Sequence, residues 1–263
     1  MPWMLLLLPA TTALLRPVQL PAQPTLPPEL AGLRLWARAE VEAVAKVEAA
    51  ASEAAAGLQR ILFSEDTANH FGARCLDGSP SGYYVREGEQ PDSVAIFLQG
   101  GGLCVEPFDC LERAKGNLGS SKSWSESWTD GSNILSSASW NPFANWTHVF
   151  VPYCSGDVHI GTQRTQNIYG LQFAGHNTLQ AIVSDLLNKT GLRTAKQVLL
   201  SGGSAGGIGT FQNADWLGEA LRDGGVDMRG LNYRASPQAG ALCARRFQLA
   251  NLTSFARVLM LPA

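Results

Sequence analysis

One stretch of this 263-residue chain has residue types and a spacing suited to covalent chemistry: Gln197-Val198-Leu199-Leu200-Ser201-Gly202-Gly203-Ser204-Ala205-Gly206-Gly207. A serine flanked two residues away on each side by glycine suits a sharp strand-to-helix turn, because glycine lets the backbone bend and neighbouring segments approach while the hydroxyl stays exposed. Ser204 is therefore a candidate nucleophile. The amide of Ala205, in the first turn of the following helix, points where negative charge would develop on a reacting carbonyl. The same pentapeptide also occurs as an ordinary Gly/Ser-rich turn. Here Val198-Leu199-Leu200 before it predicts a buried strand, and Ile208 to Leu217 after it predicts a helix. A second glycine cluster, Gly100-Gly101-Gly102, ends the apolar run Val94-Ala95-Ile96-Phe97-Leu98. It reads either as a flexible loop or as a place where backbone amides come close to a ligand.

A serine hydroxyl needs a base to take its proton and a carboxylate to orient that base. In α/β-hydrolases both follow the serine in chain order, acid first and histidine last. No histidine follows Ser204: His70, His148, His159 and His176 all precede it. Asp215, Asp223 and Asp227 do follow it, on or near the helix after the turn, where carboxylates usually solvate a surface. None of the three is assigned a catalytic role.

The elements that must position these groups read as strand, crossover helix, strand. His148-Val149-Phe150-Val151-Pro152 predicts another buried strand, followed by the turn Tyr153-Cys154-Ser155-Gly156-Asp157. Asp157 there would either touch substrate or cap local amides, the commoner role of such an Asp. Phe173, Leu179, Ile182, Val183, Leu186 and Leu187 fall at helical spacing with Gly191 as a stop, and His176 within that helix is read as a packing residue. The alternation predicts an α/β fold with a parallel sheet whose active loops lie at the carboxyl ends of the strands. Tyr83-Tyr84-Val85, between turns at Ser79 to Gly82 and at Glu87-Gly88, predicts a small β-hairpin. Leu103 to Ser139, polar and rich in Gly, Ser and Trp, is expected to be an irregular excursion above the sheet.

A hydrophobic content of 45% with 16% charged residues fits a globular domain, and a net charge of −2 gives no electrostatic case for nucleic acid or an anionic membrane. The five cysteines form no CxxC pair and only four histidines accompany them, so zinc is a poor reading, and neither metal nor cofactor is expected. In an oxidising compartment Cys104 and Cys110 would close a short loop, leaving Cys75 with Cys154 and an odd Cys243. Residues 1–22 have the apolar core of a signal peptide without a basic residue before it, too short to span a bilayer. A Pro-rich linker over 23–32 follows, then an Ala/Glu-rich helix over 33–63, the α/β domain over 64–240 and an atypical tail over 241–263. Sequons at Asn145, Asn188 and Asn251 agree with secretion.

Four segments together resemble the pectin acetylesterase and Notum family of extracellular carboxylesterases: Cys75 to Tyr84, Leu98 to Cys104, Val151 to Asp157, and the Ser204 turn. The likeness runs from about Cys75 to Gly240. It implies an α/β-hydrolase-like fold with Ser204 as nucleophile and an oxyanion hole made by the amides of Gly101, Gly102 and Ala205. It also implies the disulfides Cys104 to Cys110 and Cys75 to Cys154. Leu118-Gly119-Ser120-Ser121-Lys122 looks closer to the plant members than to the animal lipid deacylases, with the substrate left open; acetyl esters on a polysaccharide are the first expectation. Leu103 departs from the Trp that plant members tend to carry. The likeness fades at Ser236 to Gly240, so the fold is expected to lack the C-terminal part carrying the acid and base, as in a truncated, spliced or frame-shifted product or a short inactive variant. A non-catalytic glycan- or lipid-binding protein is the alternative. Mass spectrometry of a non-reduced digest is expected to find Cys104 joined to Cys110 and Cys75 to Cys154; a free thiol at Cys104 would overturn that pairing.

Overall fold

In the computed structural model, residues 57–129 and 134–238 are described. The expected leader 1–22, linker 23–32, most of the Ala/Glu-rich segment, the tail 241–263, Cys243 and Asn251 lie outside them. Seven strands form one sheet: β1 (Leu58–Leu62), β2 (Gly82–Arg86), β3 (Gln90–Leu98), β4 (Ser127–Trp128), β5 (Trp146–Val151), β6 (Gln197–Gly203) and β7 (Asn232–Gln238). Their order across the sheet is β4-β1-β2-β5-β3-β6-β7. The half β5-β3-β6-β7 is parallel, and β2, β1 and β4 are added antiparallel to it and to one another. The sheet is thus mixed, with the parallel part in the half that carries the serine.

The continuous apolar runs become the inner strands because both of their faces are covered. Residues 94–98 of β3 are buried throughout, between β5 and β6. On one face lie α3 (Gly175–Lys189) and α4 (Ala205–Asp223), whose Leu179, Ile182, Leu186, Leu217 and Leu221 pack on Val94, Ile96, Val149 and Leu200. On the other face Tyr84, Ala95, Phe97 and Phe150 pack against Trp124 and Leu135 of the long excursion, and Trp128 stacks on Phe150 at 3.9 Å between ring centroids. The described residues of that excursion are more regular than its composition suggests. It holds the helix α2 (Pro107–Arg113) and the strand β4, and its tryptophans serve as a lid on the aromatic face of the sheet. A further α-helix among the described residues, α1 (Glu65–Phe71), is capped by the Ser64 hydroxyl.

Two expectations are corrected. The helix expected over 33–63 does not extend to its end: Leu58–Leu62 is β1, paired antiparallel with β2 from Gln59↔Val85 to Leu62↔Gly82. Leu58, Ile61 and Leu62 fit a helical spacing, but ladder hydrogen bonds to β2 outweigh so weak a local preference. The hairpin expected at Tyr83 to Val85 does not form either. β2 and β3 are consecutive in the chain, yet β5 lies between them, so the turn at Glu87-Gly88 is a connection across one intervening strand.

His148 sits in the middle of this arrangement, fully buried on β5. Its Nδ1 accepts from Arg86 Nη2 at 2.7 Å and its Nε2 donates to Phe143 O at 2.7 Å, so the ring is neutral. Burial, reinforced by the Arg86 charge, pushes its pKa from the ordinary 6.5 down to about 4. The unfolded chain therefore binds a proton here that the folded chain does not, and stability falls as pH drops from 6.5 towards 4. His148 alone should cost about 3 kcal/mol over that window. Urea unfolding at pH 7 and pH 4.5 should show the loss, and His148→Asn should flatten it.

Candidate active site

The turn between β6 and α4 is held in a conformation that side chains usually avoid. Ser204 has φ 53° and ψ −118°, and among the described residues only Val158 and His159 share its positive φ without being glycine. Such backbone costs about 1–3 kcal/mol and persists only where its surroundings fix it. They do so here. Ser204 N donates to Gln238 O at the end of β7 at 3.0 Å, and Ser204 O accepts from Ile208 N at 3.1 Å. The side chain is exposed and makes no capping hydrogen bond to its own helix. Buried Ala205 follows at the first position of α4.

The glycines around the serine are required by contact. A Cβ on Gly206 would lie 2.0 Å from Leu98 O, and one on Gly202 would lie 2.5 Å from Gly206 O and 2.8 Å from Leu98 O. The end of β3 is thereby pressed against the start of α4. Gly100 continues the approach, since a Cβ there would stand 2.5 Å from Gly203 O and 3.2 Å from Ser204 Cβ. Gly101 and Gly102, the sequence candidates for oxyanion donors, come next at φ 143° and 72°, both exposed. Arg113 of α2 donates from Nη2 to Gly101 O at 2.6 Å and from Nε to Leu118 O at 3.2 Å, with its guanidinium 5.1 Å from the Tyr153 ring centroid. Because a peptide unit is planar, fixing the Gly101 carbonyl also fixes the direction of the Gly102 N–H. The Cys104–Cys110 disulfide joins this loop to α2, and Cys104 N donates to Gly156 O at 3.2 Å. Leu103 stands 53% exposed at the rim.

The loop after β5 gives the third wall. Of the two roles left open for Asp157, the structure shows the capping one. Its carboxylate accepts from Ser155 Oγ at 2.5 Å and from the amides of His159 and Gly161 at 3.1 Å and Gly175 at 2.9 Å. Tyr153, fully buried, accepts from Val158 N at 2.7 Å, and burial pushes its hydroxyl up to about 12. The Cys75–Cys154 disulfide ties this loop to the segment before β2.

The histidines are engaged elsewhere. His176 Nδ1 pairs with Asn213 Oδ1 at 2.7 Å and its ring meets Trp216 edge-on, the packing role its helical position suggests. His159 Nε2 bonds Gln99 O at 2.9 Å, His148 is held by Arg86 and Phe143, and His70 is exposed beside Phe71. Among the described residues none of the four hydrogen-bonds Ser204. Asp215, Asp223 and Asp227 are exposed, as solvated carboxylates are. Asn145 and Asn188 are exposed as well. Sequence reasoning missed Gln99, Arg113 and His159, whose contacts join segments far apart in the chain and leave no local pattern.

A pectinacetylesterase family model matches residues 54–235. The chain is 38% identical over 164 residues to palmitoleoyl-protein carboxylesterase notum1' of Xenopus laevis, covering 60% of this chain and 33% of that protein. It is 39% identical over 164 residues to palmitoleoyl-protein carboxylesterase NOTUM of Homo sapiens, with 60% and 33% covered. To pectin acetylesterase 5 of Arabidopsis thaliana it is 36% identical over 155 residues, with 57% and 36% covered. It spans about a third of the length of these curated relatives.

Two alanine substitutions separate the contact glycines from their neighbour. Gly206→Ala, which drives a methyl into Leu98 O, should cost roughly 3 kcal/mol or more, the severe end of overpacking. Gly203→Ala, whose methyl would meet only Phe97 Cζ at 3.8 Å, should change stability by under about 0.5 kcal/mol. Urea unfolding of both variants checks the contrast.

Proposed function

The chain belongs to the pectinacetylesterase family, and from that premise we propose that Ser204 is the nucleophile of a carboxylic-ester hydrolase acting on acetyl esters of a polysaccharide. The observation that carries the reading is the strained turn itself: an exposed serine at φ 53°, its hydroxyl uncommitted to capping, held against Gly100 at the start of α4. In the proposed reaction Ser204 Oγ attacks the ester carbonyl and passes its proton to a base other than the four histidines, which returns it to the departing sugar oxygen. The amides of Gly101, Gly102 and Ala205 receive the charge on the carbonyl oxygen. Collapse expels the sugar hydroxyl and leaves acetyl-Ser204, which water then hydrolyses to acetate.

Family membership supports ester hydrolysis as the chemistry, and the name of the Arabidopsis relative, pectin acetylesterase 5, supports a polysaccharide, whereas the Xenopus and human relatives are named palmitoleoyl-protein carboxylesterases. The two disulfides support an oxidising, extracellular setting for the protein, with Asn145 and Asn188 as glycan carriers. A second reading, a non-catalytic glycan- or lipid-binding protein, is favoured by one observation: all four histidines are committed away from Ser204.

Fluorophosphonate labelling of the 263-residue chain separates these readings, because covalent capture needs an activated hydroxyl. The first reading expects labelling at Ser204 together with p-nitrophenyl acetate hydrolysis that drops to the buffer rate in Ser204→Ala. Turnover unchanged in Ser204→Ala would overturn the assignment. An unlabelled chain that still binds acetylated pectin would establish the second reading.

A further inference from the structure

Val158 and His159 are, besides Ser204, the only non-glycine residues at positive φ among the described residues, with φ 53° and 63°. Strain of this kind marks a place where the surroundings force the backbone, and here it turns the His159 ring inward. The ring is 1% exposed and tilted over Tyr153 with 4.7 Å between centroids. It fits beside α4 only because residue 209 is glycine, where a Cβ would stand 2.9 Å from His159 Cβ and 3.0 Å from Cδ2. The main chain around it is pinned as well. His159 N donates to Asp157 Oδ1 at 3.1 Å, and His159 O accepts from Asn213 Nδ2 at 3.0 Å.

All of this aims one atom. Nε2 donates to Gln99 O at 2.9 Å, and a carbonyl oxygen can only accept. Gln99 O is also one of the atoms against which Gly206 packs, 2.9 Å from where its Cβ would be. Gln99 is anchored twice more, its N donating to Val151 O at 3.0 Å and its Oε1 accepting from Tyr153 N at 2.9 Å. The carbonyl that His159 holds belongs to the peptide whose nitrogen is Gly100, the residue in closest approach to Ser204. Burial pushes the imidazole pKa down, so the ring is neutral and carries a single N–H.

We propose that His159 is the positioning residue of the oxyanion loop: its Nε2–H holds the Gln99–Gly100 peptide, and with it the amides of Gly101 and Gly102, in register with Ser204. The inference rests on the reading of Ser204 as nucleophile, but it makes a separate claim about the loop. Leucine at this position would fill similar volume without a donor, and glutamine would keep a donor at similar reach.

The experiment compares the full chain with His159→Leu and His159→Gln. In His159→Leu, fluorophosphonate labelling of Ser204 should slow by about tenfold or more, since displacement of an aligned group by an ångström costs on that order or above. Amide exchange at Gln99, whose N–H donates to Val151 O, should quicken by about tenfold while exchange in the core of α4 stays unchanged, which a general loss of stability would not produce. His159→Gln should return both readouts to within about threefold of the parent. Equal behaviour of the two variants, or unchanged exchange at Gln99, would overturn the proposal. Nitrogen-15 spectra of the unmodified chain give an arm independent of mutant folding: the His159 ring should be neutral with its proton on Nε2, and a ring protonated only on Nδ1 would refute the proposal. If the parent chain is not labelled at all, the nucleophile reading fails while the exchange and tautomer measurements still decide the role of His159.

Discussion

Leu98 O occupies the space that side chains at positions 202 and 206 would need, and the geometry of the whole cleft descends from that crowding. With the carbonyl in place, β3, β6 and α4 meet more closely than alanine would permit. Gly100 is carried to Ser204, and the chain beyond β6 is forced into the sharp turn. The strain at Ser204 is balanced by ordinary forces on either side. Parallel ladder bonds to β3 and β7 hold the strand, and Leu217, Leu221 and their neighbours on α4 bury an apolar face against it. Neither a better nucleophile nor a better helix accounts for the glycines. The separation between two backbones does.

That separation was legible in the sequence because a glycine between an apolar run and a helix weakens both, and close approach or a sharp bend is what offsets the loss. The strands at Val94 to Leu98, His148 to Pro152 and Val198 to Leu200 were equally legible, since a run of apolar residues bounded by turn residues has little choice but to be a covered strand. β1 was misread because Leu58, Ile61 and Leu62 satisfy both periods, and only pairing with β2 decides between them. The missing hairpin has a similar cause. Adjacency in the chain favours pairing of β2 with β3, whereas β5 gains more by pairing both of its edges between them. Arg113, Gln99 and His159 were illegible for a different reason, as each acts on backbone groups that no local pattern pairs with it: Arg113 on the carbonyls of Gly101 and Leu118, and Gln99 and His159 on each other across the fold.

Charge is handled in one consistent manner near the sheet. His148 and His159 are buried as neutral rings, each spending its N–H on a backbone carbonyl, of Phe143 and of Gln99. The Asp157 carboxylate accepts from three amides and a hydroxyl, and at Asp77 the bonds from Ser79 and Lys122 hold the carboxyl below the usual range against the opposing effect of burial. The polar groups in the walls of the cleft are therefore satisfied before any substrate arrives. The Ser204 hydroxyl, by contrast, makes no capping bond to its own helix.

The Cys75–Cys154 bond closes a ring spanning a sequence separation of 79, which contains β2, β3, α2, β4 and β5. The long excursion with exposed Val105 and Phe108, and exposed Trp140 just after it, lie inside that ring. Exposed loops of this kind are where proteases cut. A cut anywhere between the two cysteines opens the ring but releases nothing, because both new ends stay joined through sulfur, and the second bond, Cys104 to Cys110, similarly guards the stretch beside the glycine cluster. The molecule is thus built to outlast nicking in its most exposed part: a chain cleaved there still travels as one covalent body, with the strands on either side of Ser204 in place.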